Sequence, residues 1–142
     1  MAAMDKLELL RVLENASTSN KQVFGAACLY QYCAAKGLQH CPAVLELIGH
    51  LRSISASDNL PGWAAAGAVL RLSGRGDALP ADVESLLTGE EAIEFGMLVE
   101  CVVEIGIVDM FGERTALPMQ FARRTIEMLE RAGIQVPDPS VE

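Results

Sequence analysis

Apolar residues recur along most of this chain at three- and four-residue steps, the spacing that gathers side chains onto one face of an α-helix. In residues 5–15, Leu7, Leu10 and Leu13 share a face while Lys6, Glu8, Arg11 and Glu14 occupy the remainder, which predicts a surface helix. The polar run 17–20 can cap a second helix over 21–36, closed by Gly37 as a residue able to take positive φ. That segment is apolar nearly all round, so it is expected to lie centrally. Pro42 suits the first turn of a third helix in which Val44, Leu45, Ile48, Leu51 and Ile54 recur, with Glu46, His50 and Arg52 on the other side.

Pro61 and Gly62 open a fourth helix that contains Trp63 and the small-residue run 64–68, where a neighbouring helix could approach closely. Trp63 reads as core filler, with an exposed interface anchor as the alternative. The run 73–77 is rich in turn residues, and Pro80 then starts a short helix reaching about Leu87. Thr88 can cap the next segment, 90–111, which is the most apolar of the chain. Its Val99, Val102, Val103, Ile105, Ile107 and Val108 would also suit a buried strand. Helix is preferred because the charges do not alternate and the run is too long for an ordinary strand. Pro118 begins a final helix with Met119, Ala122, Ile126 and Leu129 on one face, and Gly133 stops it. No sequence period is sustained, which argues against a solenoid. The expected architecture is all-α, an irregular bundle of six or seven helices forming one domain over 1–133, with 134–142 as a loose tail.

The size of 142 residues fits one core, and with 51% apolar residues but 5% aromatics that core must be built from aliphatic side chains. Charges interrupt the first residues where a secretory leader needs an apolar run, and the longest uncharged segment, 22–35, is too short to span a bilayer. Neither end matches a lipidation signal. A cytoplasmic protein with reduced cysteines is the expectation, without membrane association.

Charge changes the picture most. Residues 1–75 carry a net +2 and residues 76–142 a net −10, which together make the chain's −8. Between Arg75 and Arg114 lie ten carboxylates and no basic residue: Asp77, Asp82, Glu84, Glu90, Glu91, Glu94, Glu100, Glu104, Asp109 and Glu113. On a helical projection Glu90, Glu94, Glu100 and Glu104 fall within an arc of about 120°. Two of the pairs are like charges at i, i+4, which cost an isolated helix a few tenths of a kcal/mol each. Such a stripe has three ways to be compensated: Arg123, Arg124 and Arg131 of the last helix, plain solvation, or a basic surface on another molecule. Nucleic acid is disfavoured as a direct partner, because phosphate requires a basic patch.

Candidate chemistry is thin. Cys28, Cys33, His40, Cys41 and His50 are close in sequence, but Cys28 and Cys33 stand about 140° apart on one helix, a poor chelating geometry. Buried thiols and a surface His are the plainer reading. No Glu-x-x-His pair of the di-iron kind occurs, and Glu46 with His50, four apart, suits a hydrogen bond on a helix surface. With two His in the chain, general bases are few, and neither a nucleophile elbow nor a phosphate-cradling loop is present. Glu100 and Glu104 could serve as acid and base, but nothing in the sequence separates their pKa values.

These features predict a non-enzymatic binding module that offers an acidic helical surface to a basic protein partner, with Glu90, Glu94, Glu100, Glu104 and Asp109 as the binding residues and no cofactor or metal. Toxin-neutralising immunity proteins and nuclease inhibitors are acidic helical proteins of that general kind, although no motif ties the chain to either. Two alternatives stand beside it. One is a homodimer or adaptor that buries the apolar segment 95–111 against a copy; the other is an enzyme or metal protein whose site is not readable from sequence.

Overall fold

Side-chain caps and prolines set where the helices begin. Asp5 accepts a hydrogen bond from the Glu8 N–H at 2.9 Å and starts α1 (Lys6–Glu14). Ser17 does the same for Asn20 at 3.0 Å and starts α2 (Thr18–Lys36), one turn ahead of the predicted start at Lys21. Pro42 and Pro118 stand in the first turns of α3 (Pro42–Arg52) and α7 (Leu117–Arg131), where a missing N–H costs nothing. α4 (Leu60–Ala68) is capped by Asn59, α5 (Ala81–Glu84) is a single turn, and α6 (Gly89–Ile107) starts on a complete capping box between Thr88 and Glu91. A short 3-10 turn, Ser53–Ala56, continues α3. The computed structural model describes residues 4–139, and among them there are seven α-helices and no strand, an irregular all-α bundle.

α2, α6 and α7 each pack on the other two and form the centre; α3 and the 3-10 turn flank α2, and α1 lies along α7. The central place expected for α2 is thus observed, with Phe24, Cys28, Leu29, Tyr32 and Cys33 all inside. Aliphatic residues fill the rest, among them Leu98, Val99, Val102, Ile126 and Leu129.

Two apolar faces differ from the sequence pattern. In α1 the buried residues are Leu9 and Leu13, while Leu7 is 76% exposed. A nine-residue helix has room for only one short contact stripe, and α7 takes the stripe four residues apart. In α3 the face is Val44, Leu47, Ile48 and Leu51, and Leu45 points outward. The longest predicted helix is also shorter than its apolar pattern. α6 ends at Ile107, and residues 108–112 turn instead of continuing to Phe111. Asp109 accounts for this, because its carboxylate accepts from the Thr115 N–H and the Thr115 hydroxyl, both at 2.7 Å. An Asp side chain satisfied by nearby backbone competes with the helical ladder. The described part of the tail, 134–139, has no regular structure, yet Ile134 and Val136 lie half-buried against the core; residues 140–142 fall outside the described region.

The α2–α6 contact is unusually close and contains a buried amide. Gln22 is fully buried; its Nε2 donates to the Val102 carbonyl at 2.8 Å and its Oε1 accepts from the Gly106 N–H at 2.9 Å. A Cβ at Gly106 would stand 2.5 Å from Gln22 Oε1 and 3.1 Å from Ile54 Cδ1, and one at Gly25 would stand 2.8 Å from Ile105 Cδ1. Gly106→Ala is therefore expected to destabilise the protein by about 1–3 kcal/mol, the usual penalty for overpacking a filled interior. A urea midpoint equal to that of the unmodified chain would show that Gln22 can move aside freely.

Candidate functional site

The ten carboxylates between Arg75 and Arg114 are not presented alike. Glu91 is drawn into the capping box and pairs with Lys36 at 3.2 Å; the Thr88 backbone, then Lys36, hold its carboxyl below the usual range. Glu94 is half-buried and accepts from the Tyr32 hydroxyl at 2.7 Å. Burial, followed by this carboxylate, pushes the Tyr32 phenol well above its ordinary pKa, so it remains a donor. Glu104 is half-buried, and Asp109 is spent on the Thr115 turn. Glu90 and Glu100 stand exposed on the outer side of α6. The predicted arc is therefore divided: Glu90 and Glu100 face solvent, Glu94 is turned toward α2, and Asp109 belongs to a separate corner.

The basic residues of α7 form no ion pair with this face among the described residues. The ion pairs among the described residues are Lys6–Glu130, Lys36–Glu91 and Arg71–Glu46, none of which joins α6 to an α7 arginine. Arg124 lies over the Phe121 ring at 5.4 Å and beside the Cys101 thiol, and Arg123 points to a cleft on another side.

Two apolar side chains that the charge pattern concealed sit between the outward glutamates. Ile93 is 68% and Met97 56% exposed, and both fall within the helical arc that holds Glu90 and Glu100. Beside them the 72–79 segment forms the wall of a shallow groove of about 190 Å³ that Ile93, Gly96, Met97 and Leu79 line, with Asp77 and Glu100 also on it. The wall holds its shape through Ser73, which donates to Asp77 at 2.8 Å and accepts from the Arg75 N–H at 3.2 Å. Gly74 must be glycine twice over: its φ is 67°, and a Cβ would stand 2.7 Å from Val103 Cγ2. The helical projection that aligns the glutamates contains Ile93 and Met97 as well, but an apolar residue on this helix reads the same in sequence whether the core covers it or not. The rest of 95–111 is mostly spent inside, since Phe95, Leu98, Val99, Val102, Val103 and Ile105 are buried within the chain.

The Cys and His residues are scattered by the fold. Cys28 and Cys33 are buried in α2, Cys41 precedes α3, Cys101 faces α7, and all four are free thiols. Burial pushes Cys33 up to about 12 and raises Cys28 further, while at Cys101 burial outweighs the opposing pull of Arg124. Among the described residues no three His, Cys, Asp or Glu side chains are grouped so as to hold a metal ion. His40 is exposed, but His50 is not the surface residue expected. Its ring stacks on Trp63 with centroids 4.5 Å apart, and the Trp63 indole N–H donates to the His50 carbonyl at 2.9 Å. Glu46 pairs with Arg71 rather than with His50. Trp63 is 7% exposed and is core filler, while of the small-residue run only Ala64 and Gly67 are buried, Gly67 against the His50 ring. No protein-family model matches the chain, and no curated protein and no solved structure proved significantly similar to it.

Two outcomes can be measured. His50 has its pKa lowered, by burial first and then by the Arg75 charge, so the unfolded chain takes up a proton before the native state does. The stability contribution is full above the unfolded value of about 6.5 and is lost as pH falls through the lower folded value. The urea midpoint should therefore drop on acidification from about pH 7.5 to 5.5, and less so in His50→Gln. Equal drops in both proteins would remove His50 as the cause. The four thiols should react with a soluble aromatic disulfide orders of magnitude more slowly in native than in denatured protein; a single fast-reacting thiol would contradict their burial.

Proposed function

We propose that this small helical domain is a non-enzymatic binding protein that presents the outer face of α6 to a basic protein partner. The observation that carries this reading is the pairing of exposed Ile93 and Met97 with exposed Glu90 and Glu100 on a helix whose glutamates form no ion pair with an α7 arginine among the described residues. An apolar centre rimmed by charge of one sign is what an interface with a cationic partner requires. The apolar groups supply desolvation energy, and the carboxylates speed encounter and reject acidic competitors. Asp77, across the groove from Glu100, extends the acidic rim. Glu94 and Glu91 contribute indirectly, by fixing α6 against Tyr32 and Lys36.

The occupant that suits this surface is a helix or loop that places an aliphatic residue in the groove and Lys or Arg at its rim. An antagonist of a cationic toxin or nuclease is one role in which such a surface serves.

A Lys- and Arg-rich amphipathic helical peptide, titrated at low salt and followed by amide chemical shifts, is expected to perturb residues 76–79 and 90–100. Glu90→Lys with Glu100→Lys should weaken it about tenfold or more, and added salt should do likewise. Shifts centred elsewhere, or an affinity indifferent to both reversals, would refute the assignment.

A further inference from the structure

Opposite in sign to the α6 face, a larger cleft of about 920 Å³ opens between the α1–α2 corner, the 109–116 segment and the start of α7. Three cations line it: Lys21, Arg114 and Arg123. Lys21 is 9% exposed, and its ammonium donates to the Ala16 carbonyl at 2.7 Å, which uses one of its three N–H groups. Arg114 is close enough for its charge to act on Lys21, adding to burial in lowering the lysine's pKa, while Glu14 opposes both. Neither Arg114 nor Arg123 is in an ion pair among the described residues.

Two carboxylates also line the cleft. Both oxygens of Asp109 accept from Thr115, which fixes its carboxylate in place without cancelling its charge, and Glu14 is the second counter-charge. Three cations against two carboxylates is still a local positive excess in a chain of net charge −8. The backbone adds to it, because Ser17 and Thr18 at the start of α2 and Ala116 and Pro118 at the start of α7 all line the space. Two helix N-termini of this length carry partial positive charge toward it, although at α7 the Leu117 N–H already donates to the Thr115 hydroxyl at 3.0 Å.

We propose that this cleft binds a small phosphorylated molecule, with Arg114 and Arg123 holding the phosphate over Lys21. A guanidinium matches phosphate oxygens two at a time, and a dianion suits a cleft lined by three cations better than a single carboxylate does. The volume exceeds what a phosphate fills and lies in the range of small-molecule sites, and Met119, Pro118 and Ala16 offer an apolar wall for the organic part. A nucleic-acid backbone is excluded by the acidic remainder of the surface. This site is independent of the α6 face and stands whether or not that face binds a partner.

The test is an amide-shift titration of the full chain with inorganic phosphate and, separately, with adenosine 5′-monophosphate, at constant ionic strength against sodium chloride. Saturable shifts in residues 16–21 and 114–120 are expected, with the monophosphate binding more tightly than phosphate alone. Arg114→Gln and Arg123→Gln alter exposed side chains and should leave the fold intact, and together they should weaken binding by about tenfold or more. Arg131→Gln, at the far end of α7, should change nothing. The proposal is overturned if neither probe saturates at millimolar concentration, if chloride gives the same shifts, or if the double variant binds as before.

Discussion

A single buried amide organises the centre of this protein. Gln22 lies in a dry contact between two long helices, where an unpaired polar group would cost about 1–3 kcal/mol. Its two bonds go to backbone groups of Val102 and Gly106, one turn apart on α6, so both are made only at one axial register of α2 against α6. Hydrophobic contact alone does not choose a register this narrowly, since aliphatic side chains repack at modest cost. Gly25 and Gly106 let the backbones come near enough for the amide to reach. Ile54 of the 3-10 turn closes over the same point, so three elements meet where no side chain larger than glycine fits. The rest follows from that pairing: α7 covers the exposed seam of α2 and α6, α3 takes the opposite side of α2, and α1 lies on α7.

The same arrangement sorts the charges. With the inner side of α6 committed to α2 and α7, its outer side must carry whatever remains, which is Glu90, Ile93, Met97 and Glu100. Of the α7 arginines, Arg123 lines the 920 Å³ cleft, while Arg124 lies over Phe121 and beside the Cys101 thiol of α6. Lys21, Arg114 and Arg123 thus share one concavity, while Glu90 and Glu100 stand on a convex helix. Separation of this kind forgoes internal ion pairs that are worth little at the surface in any case.

Helix starts were legible because capping is local chemistry. Ser17 and Thr88 each satisfy an amide a few residues onward, and Pro42, Pro61 and Pro118 are tolerated in a first turn, so a short window of sequence suffices. The centrality of α2 was legible too, since a helix apolar on all sides has nowhere else to go. The faces of α1 and α3 were not, because Leu7, Leu9, Leu10 and Leu13 offer several stripes and only the position of α7 selects Leu9 and Leu13. The end of α6 was missed for a related reason: the apolar run continues through Phe111, but Asp109 finds Thr115 six residues on, a bond that hydrophobic periodicity does not register.

By itself the sequence determined an all-helical chain, the approximate place of each helix, an aliphatic core and a steep gradient of charge from one half to the other. Those properties depend on residues within a turn or two of one another, or on simple counts. Only the tertiary structure decided that Glu94 serves Tyr32 while Glu100 faces solvent, that Gln22 fastens α6, that His50 lies under Trp63, and that Lys21 meets Arg114. A side chain's partner is set by which distant segment the packing brings to it. A polar or charged residue reads the same in sequence whether it is solvated, paired or buried.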